Sequence, residues 1–266
     1  MSSTIKILFI TIFSFLNIKS YSQNFSFLDS SYYNKSILRI ESVEVYNFFH
    51  SYDNTEDTTT SEVFKTYLNG LDCSMWQNSI TWKHIDTIYS FIFIKATQSL
   101  RADVNFYHNW NNCHLIKGAY HFFNPNINGQ TQAKFFLSIV KLEKGNLPPV
   151  IDIEYYHYYW RNCNKYIAAK NLRLMLEYIE KTTGVKPIIY TNCSFWNRNL
   201  AKYITFNPSN YYLWVANYYT ESPCLPLGWT NWTFWQYTPK GKINNHSTYW
   251  DLNYFNGKDL KDILIK

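Results

Sequence analysis

Four carboxylates stand at or just after strand-like runs of the 266-residue sequence: Asp72, Asp152, Glu154 and Asp251. The pair in Val150-Ile-Asp-Ile-Glu154 is the sharpest signal. A strand alternates its faces, so residues i and i+2 point the same way and the two acids face inward together or outward together. Outward, against covering helices, both would lose hydration without compensation, whereas the open rim of a barrel leaves them partly wet. Two neighbouring carboxyls repel, so one keeps a proton near neutral pH while the other is charged. Cleavage of a glycosidic bond needs this asymmetry: a proton for the leaving oxygen and a negative group near the anomeric carbon. Glu154, longer and nearer the open end, suits the acid/base, and Asp152 would steady charge on C1 or on an N-acetyl group of the sugar. On the residues alone two other readings stay open, a solvated pair at a sheet edge and an oxygen-ligand metal site that adds Asp72 and Asp251.

Other chemistries find little support. There is no Gly-x-Ser-x-Gly elbow and no glycine-rich phosphate loop, and His121 has no second histidine at metal-binding spacing, which favours a structural histidine. The five cysteines, Cys73, Cys113, Cys163, Cys193 and Cys224, are too widely spaced for a zinc site. Their odd number leaves at least one thiol unpaired within the chain, and most are expected to be small buried side chains. No cofactor and no metal are expected.

The elements that must position the acids are read from periodicity. Leu71 falls in a first strand followed by a helix near 82–88, and Phe91–Ile94 is a strand followed by helical sequence at 104–115. Gly118–Phe122 and a helix from Thr131 to Leu142 come next, then Pro149–Glu154, a long helix at 166–181 with its stop at Thr183-Gly184, and Lys186–Tyr190. Strand alternating with helix implies parallel strands with crossover helices. Tyr211–Ala216, Thr233–Tyr237 and Thr248–Leu252 are strand-like but lack long helices between them. The expected fold is thus an α/β, irregular TIM-like barrel of about five β/α units followed by three strands, with the reactive groups at the C-terminal ends of the strands.

The ends of the chain read differently. Lys6, a short apolar run and the small residues Ser20-Tyr21-Ser22 have the parts of a secretory signal peptide at 1–22. Residues 23–67 form an N-terminal extension or linker, and 68–266 the catalytic barrel. Cleavage after Ser22 removes Lys6, Lys19 and no acid, so the formal charge falls from +6 to +4, a surface drawn modestly to an anionic polymer. No basic stripe for nucleic acid is visible. Charged residues make up only 17% and aromatics 20%, an excess that points to a sugar-stacking platform beside the core.

Taken in order, several segments resemble the glycoside hydrolase family 25 lysozymes, the Chalaropsis-type muramidases. They are Gly70-Leu-Asp-Cys-Ser74 with Trp76-Gln77, Phe93-Ile-Lys-Ala-Thr97, Gly118-Ala-Tyr-His-Phe122, Pro149-Val-Ile-Asp-Ile-Glu154, Pro187-Ile-Ile-Tyr-Thr191, Leu213-Trp-Val-Ala-Asn-Tyr218, Trp235-Gln-Tyr237 and Trp250-Asp-Leu-Asn253. The resemblance runs over about residues 68–258. It implies a flattened barrel of five β/α units closed by three strands, and hydrolysis of the β-1,4 bond between N-acetylmuramic acid and N-acetylglucosamine in peptidoglycan with retention. It also implies that Glu154 is the proton donor, Asp152 its neighbour, and Asp72 and Asp251 the flanking acids, with Tyr120, Trp214 and Gln236 lining the sugar site. The expected setting is secreted or periplasmic, as a monomer on glycan strands with no membrane span after cleavage. A wall-glycan-binding module without activity and a barrel hydrolase acting on chitin-like N-acetylated glycans are the alternatives. The chain departs from the family at Gln98-Ser99, where Glu-Gly is common, and in the extension at 23–67.

Overall fold

A computed structural model describes residues 67–78, 80–85, 88–243 and 246–266. The leader and nearly all of the extension expected from the sequence lie outside the described residues. The strands are β1 (Leu68–Cys73), β2 (Tyr89–Gln98), β3 (Arg101–Ala102), β4 (Ile116–Phe122), β5 (Val150–Asp152), β6 (Ile188–Thr191), β7 (Tyr212–Ala216), β8 (Phe234–Gly241) and β9 (Trp250–Phe255). The α-helices are α1 (Phe106–Asn112), α2 (Gly129–Ile139), α3 (His157–Trp160), α4 (Lys165–Thr183) and α5 (Cys193–Asn199). No helix among the described residues is long and apolar enough to cross a membrane.

The sheet runs β1-β9-β8-β7-β6-β5-β4-β2, and β1 pairs with β2 to close an eight-stranded barrel, with β3 as a short hairpin arm on β2. Neighbours are parallel from β1 through β8 in barrel order, while β9 is antiparallel to both β8 and β1. The irregular α/β barrel read from the sequence is therefore present, with its last strand reversed. Its first crossover differs: the helix expected near 82–88 is only a 3₁₀ turn, Trp82–His84. Trp82 and Ile85 are both buried three residues apart, the 3₁₀ repeat, and anchor the segment without a longer helix.

Strand alternation sorts the core into two layers. Outward residues such as Ile92, Ile94, Ile151, Ile189, Leu213 and Val215 pack with Phe136, Leu172, Met175, Leu176 and Trp196 of the helices. Inward residues Phe91, Phe93, Val150, Ile188, Trp214, Phe234 and Phe255 fill the bore. A Cβ on Gly70 would lie 2.3 Å from the Phe91 ring and one on Gly118 2.8 Å from Phe93, so these glycines make room for the aromatic filling. The long helix α4 is capped as its sequence suggests. Asn164 accepts from the N–H groups of Tyr166 and Ile167, and Gly184 ends it at φ 71°.

Cys193 and Cys224 form a disulfide, while Cys73 and Cys113 are buried thiols and Cys163 a half-buried one. His121 is fully buried between Thr97 Oγ1 at 2.7 Å and Gln132 Oε1 at 3.0 Å. Because the Gln132 amide nitrogen already donates to the carbonyls of Asn124 and Ile127, its oxygen must accept from His121 Nε2, and Nδ1 accepts from Thr97. Burial pushes this imidazole down to about 4, so it is a neutral structural link between β4 and α2.

Candidate active site

All seven residues singled out in the sequence line one cavity of about 210 Å³ at the rim of the barrel. Asp72 stands near the end of β1 and Asp152 at the end of β5, and Glu154 follows two residues later on the irregular chain. The strand is shorter than its sequence suggests, but Ile153 N–H still donates to Tyr190 O at 2.9 Å and carries the alternation one step further. Ile151 and Ile153 accordingly pack outward while Asp152 and Glu154 line the cavity. Asp251 sits near the start of β9, directly across from Asp72 in the β1–β9 register. Reversal of β9 brings that start to the rim where the parallel strands end.

Hydrogen bonds around Asp72 run in one direction. Tyr190 and Tyr218 hydroxyls donate to Gln236 Oε1 at 2.8 and 2.6 Å, which turns the Gln236 amide nitrogen toward Asp72 Oδ2, 2.8 Å away. On the other side Trp214 Nε1 donates to Asn253 Oδ1 and Asn253 Nδ2 to the same Asp72 oxygen, both at 2.8 Å. With every donor aimed at it, Asp72 is built to be a carboxylate. Burial pushes it up to about 6, and the hydrogen bonds from Asn253, Gln236 and Asp251 hold it there against a further rise. Asp251 is pushed up to about 8 by burial and by the charge of Asp72, to which it donates its proton.

The second pair lacks such support. Burial, then the charge of Glu154, drives Asp152 well above the usual carboxylate range, with Lys95 opposing. Glu154 is pushed up to about 7 by burial, with Lys95 opposing and Asp72 adding repulsion. The two titrate together and retain a proton near neutrality. Among the described residues Asp152 Oδ1 is buried with no hydrogen-bond partner, which adds to the cost of ionising this carboxyl. Tyr120 and Trp214 meet edge to face at 6.4 Å, while Trp76, 73% exposed, offers an indole face at the mouth. The aromatic excess is thus divided between the filled bore and the rim.

Sequence reasoning did not single out Lys95, Tyr190, Tyr218 and Asn253, yet each belongs to this cavity or its network. The signal was alternation: Asn253 is two residues from Asp251, and Lys95 two from Phe93. No three His, Cys, Asp or Glu side chains among the described residues are grouped to hold a metal ion. A larger depression of about 760 Å³ around Lys186, Tyr212 and Trp232 has, among the described residues, Asp262 as its one lining Asp or Glu.

Residues 71–246 match the glycosyl hydrolases family 25. The chain belongs to this family. It is 33% identical to lysozyme M1 of Streptomyces globisporus over 206 residues, 71% of this chain and 68% of that protein. It is 35% identical to the uncharacterized protein YegX of Escherichia coli K12 over 204 residues, 71% and 70% of the two chains. Among solved structures, the bacterial lysozyme of Streptomyces coelicolor superposes with a TM-score of 0.67 at 31% identity, over 73% of this chain and 94% of that one. A family GH25 lysozyme of Aspergillus fumigatus gives 0.67 at 27% identity, over 76% and 100%. The family 25 member is therefore a glycoside hydrolase.

Proposed function

We propose that this family 25 protein is an N-acetylmuramidase that hydrolyses the β-1,4 bond between N-acetylmuramic acid and N-acetylglucosamine in peptidoglycan. The observation that carries this reading is the meeting of Asp72, Asp152, Glu154 and Asp251 in one cavity above an apolar bore. In the reading, Glu154 gives its proton to the glycosidic oxygen as the C1–O bond breaks. Asp152 faces the developing positive charge at C1, as nucleophile or by orienting the substrate's acetamide oxygen to attack. Water then adds to C1, returning a proton to Glu154, and the product keeps the β configuration. Asp72 and Asp251 share a proton beside the ring, and Tyr120, Trp214 and Gln236 hold the sugar. Its substrate places such an enzyme outside the cytoplasmic membrane, secreted or periplasmic, which fits the leader-like residues 1–22; we take it to act as a monomer.

The test is reducing-end release from purified peptidoglycan by wild type and Glu154→Gln, with proton NMR of the fresh product. Wild type should release the β anomer first. Full turnover by a folded Glu154→Gln protein, or the α anomer first, would sink the assignment. An Asp152→Asn protein separates the two forms of attack, since a direct nucleophile tolerates the amide far less than an orienting group does.

A further inference from the structure

Among the described residues Lys95 is the one cation in the wall of the acid cavity, and only 8% of it is exposed. In a regular strand Lys95 and Gln98, three residues apart, would point to opposite faces. The β2–β4 register slips between Lys95 and Thr97, and this bulge brings the two side chains to the same side. Lys95 Nζ donates to Gln98 Oε1 at 2.8 Å, and Gln98 Nε2 donates to the Tyr159 hydroxyl at 3.3 Å, which fixes the amide's orientation. The turn that follows is pinned twice: Ser99 N–H donates to Phe122 O at 3.1 Å and its Oγ accepts from Asn124 Nδ2 at 3.2 Å. The ammonium lies 4.8 Å from the centre of the Phe122 ring, and Phe122 is the register partner of Asp152.

Because the side chain that grips Lys95 is a neutral amide, the ammonium charge is left for the acids. Asp152 is its foremost electrostatic partner, followed by Asp103 and Glu154. The Asp103 carboxylate is already engaged by the N–H groups of Met75 and Asn105. On β4, Tyr120 and the neutral His121 carry no opposing charge, while Asp72 on β1, the strand next to β2, and Asp251 on β9 line the same cavity. Arg101 on β3 lines the adjoining groove.

We propose that Lys95, held in place by Gln98, is a positioning residue whose ammonium holds the Asp152–Glu154 pair at a single negative charge, one proton shared between them, near neutral pH. This rests on the roles proposed above. A positive neighbour lowers the pH at which each carboxyl ionises, so its removal moves both limbs of the pH–rate profile upward. The experiment is the profile of kcat/KM on solubilised peptidoglycan, from pH 4 to 9, for wild type, Lys95→Met, Lys95→Arg, Gln98→Glu and Glu154→Gln. Lys95→Met should move both limbs up by about one pH unit, and Lys95→Arg should leave them in place. Gln98→Glu adds a negative charge against the ammonium and should move the limbs in the same direction by less. If Lys95→Met does not fold, Gln98→Glu alone decides, since Gln98 is only partly buried. Reduced turnover with limbs unmoved in the folded variants would overturn the proposal. Activity in Glu154→Gln would instead overturn the roles on which it rests.

Discussion

The two halves of the barrel bore are made by the same strands with opposite chemistry. On β2 the inward positions pass from Phe91 and Phe93 to Lys95, on β5 from Val150 to Asp152, on β6 from Ile188 to Tyr190, and on β8 from Phe234 to Gln236. On β9 the same change reads backwards, from Phe255 through Asn253 to Asp251, because the strand is antiparallel. The lower half is an aromatic plug in which Phe93 stacks on Trp214 at 4.4 Å and meets Phe234 at 5.0 Å. It excludes water from beneath the acids, so desolvation is the first cause of every upward carboxyl shift in the upper half. The plug stabilises the fold, while the acids above it are kept in a state that weakens the fold and favours proton transfer.

Substitutions in the two halves should therefore part company. The largest expected effect is in the upper half, where Glu154→Gln should cut hydrolysis by roughly 10²–10⁴ without unfolding the protein. In the plug, Phe93→Ala should cost about 3–5 kcal/mol at every pH, read from denaturant melts, because a fully buried ring leaves a cavity. The third effect has the opposite sign. Glu154 has a folded value of about 7 against 4.5 for the ordinary carboxyl, so folding binds its proton and the stability this lends is present below pH 4.5 and lost as pH rises through 7. Glu154→Gln should accordingly be more stable than wild type at pH 8, by about 1–3 kcal/mol, and no more stable at pH 4. Equal melting of the two proteins at pH 8 would break the contrast between the halves. The smallest effect belongs to Tyr218→Phe, which leaves the Tyr190 hydroxyl on Gln236 and should cost about 0.5–1.5 kcal/mol with a modest loss of turnover.

Much of this arrangement was legible in the sequence because alternation is a local property. The strand–helix rhythm from Phe91 to Tyr190 and the shared face of Asp152 and Glu154 needed no partner to be read. The reversal of β9 follows from its spacing: eight residues, 242–249, separate β8 from β9, too few for the crossover that a parallel neighbour requires. The first crossover departs from its expected helix because buried Trp82 and Ile85 mimic one turn of an amphipathic helix. Lys95 and Gln98 lie on one side only because of a bulge set by pairing with β4, which no strand pattern displays. The Cys193–Cys224 pairing, 31 residues apart, likewise depends on tertiary placement.

The account turns on Glu154 keeping its proton near neutrality above the plug. Its most direct test is a carbon-13 NMR titration of protein labelled at the glutamate side-chain carboxyls, with Glu154→Gln identifying the resonance by its loss. The Glu154 signal should titrate with a midpoint near 7. A midpoint near the ordinary 4.5 would mean that the carboxyl is ionised at neutral pH, and the proton donor would have to be sought elsewhere in the cavity.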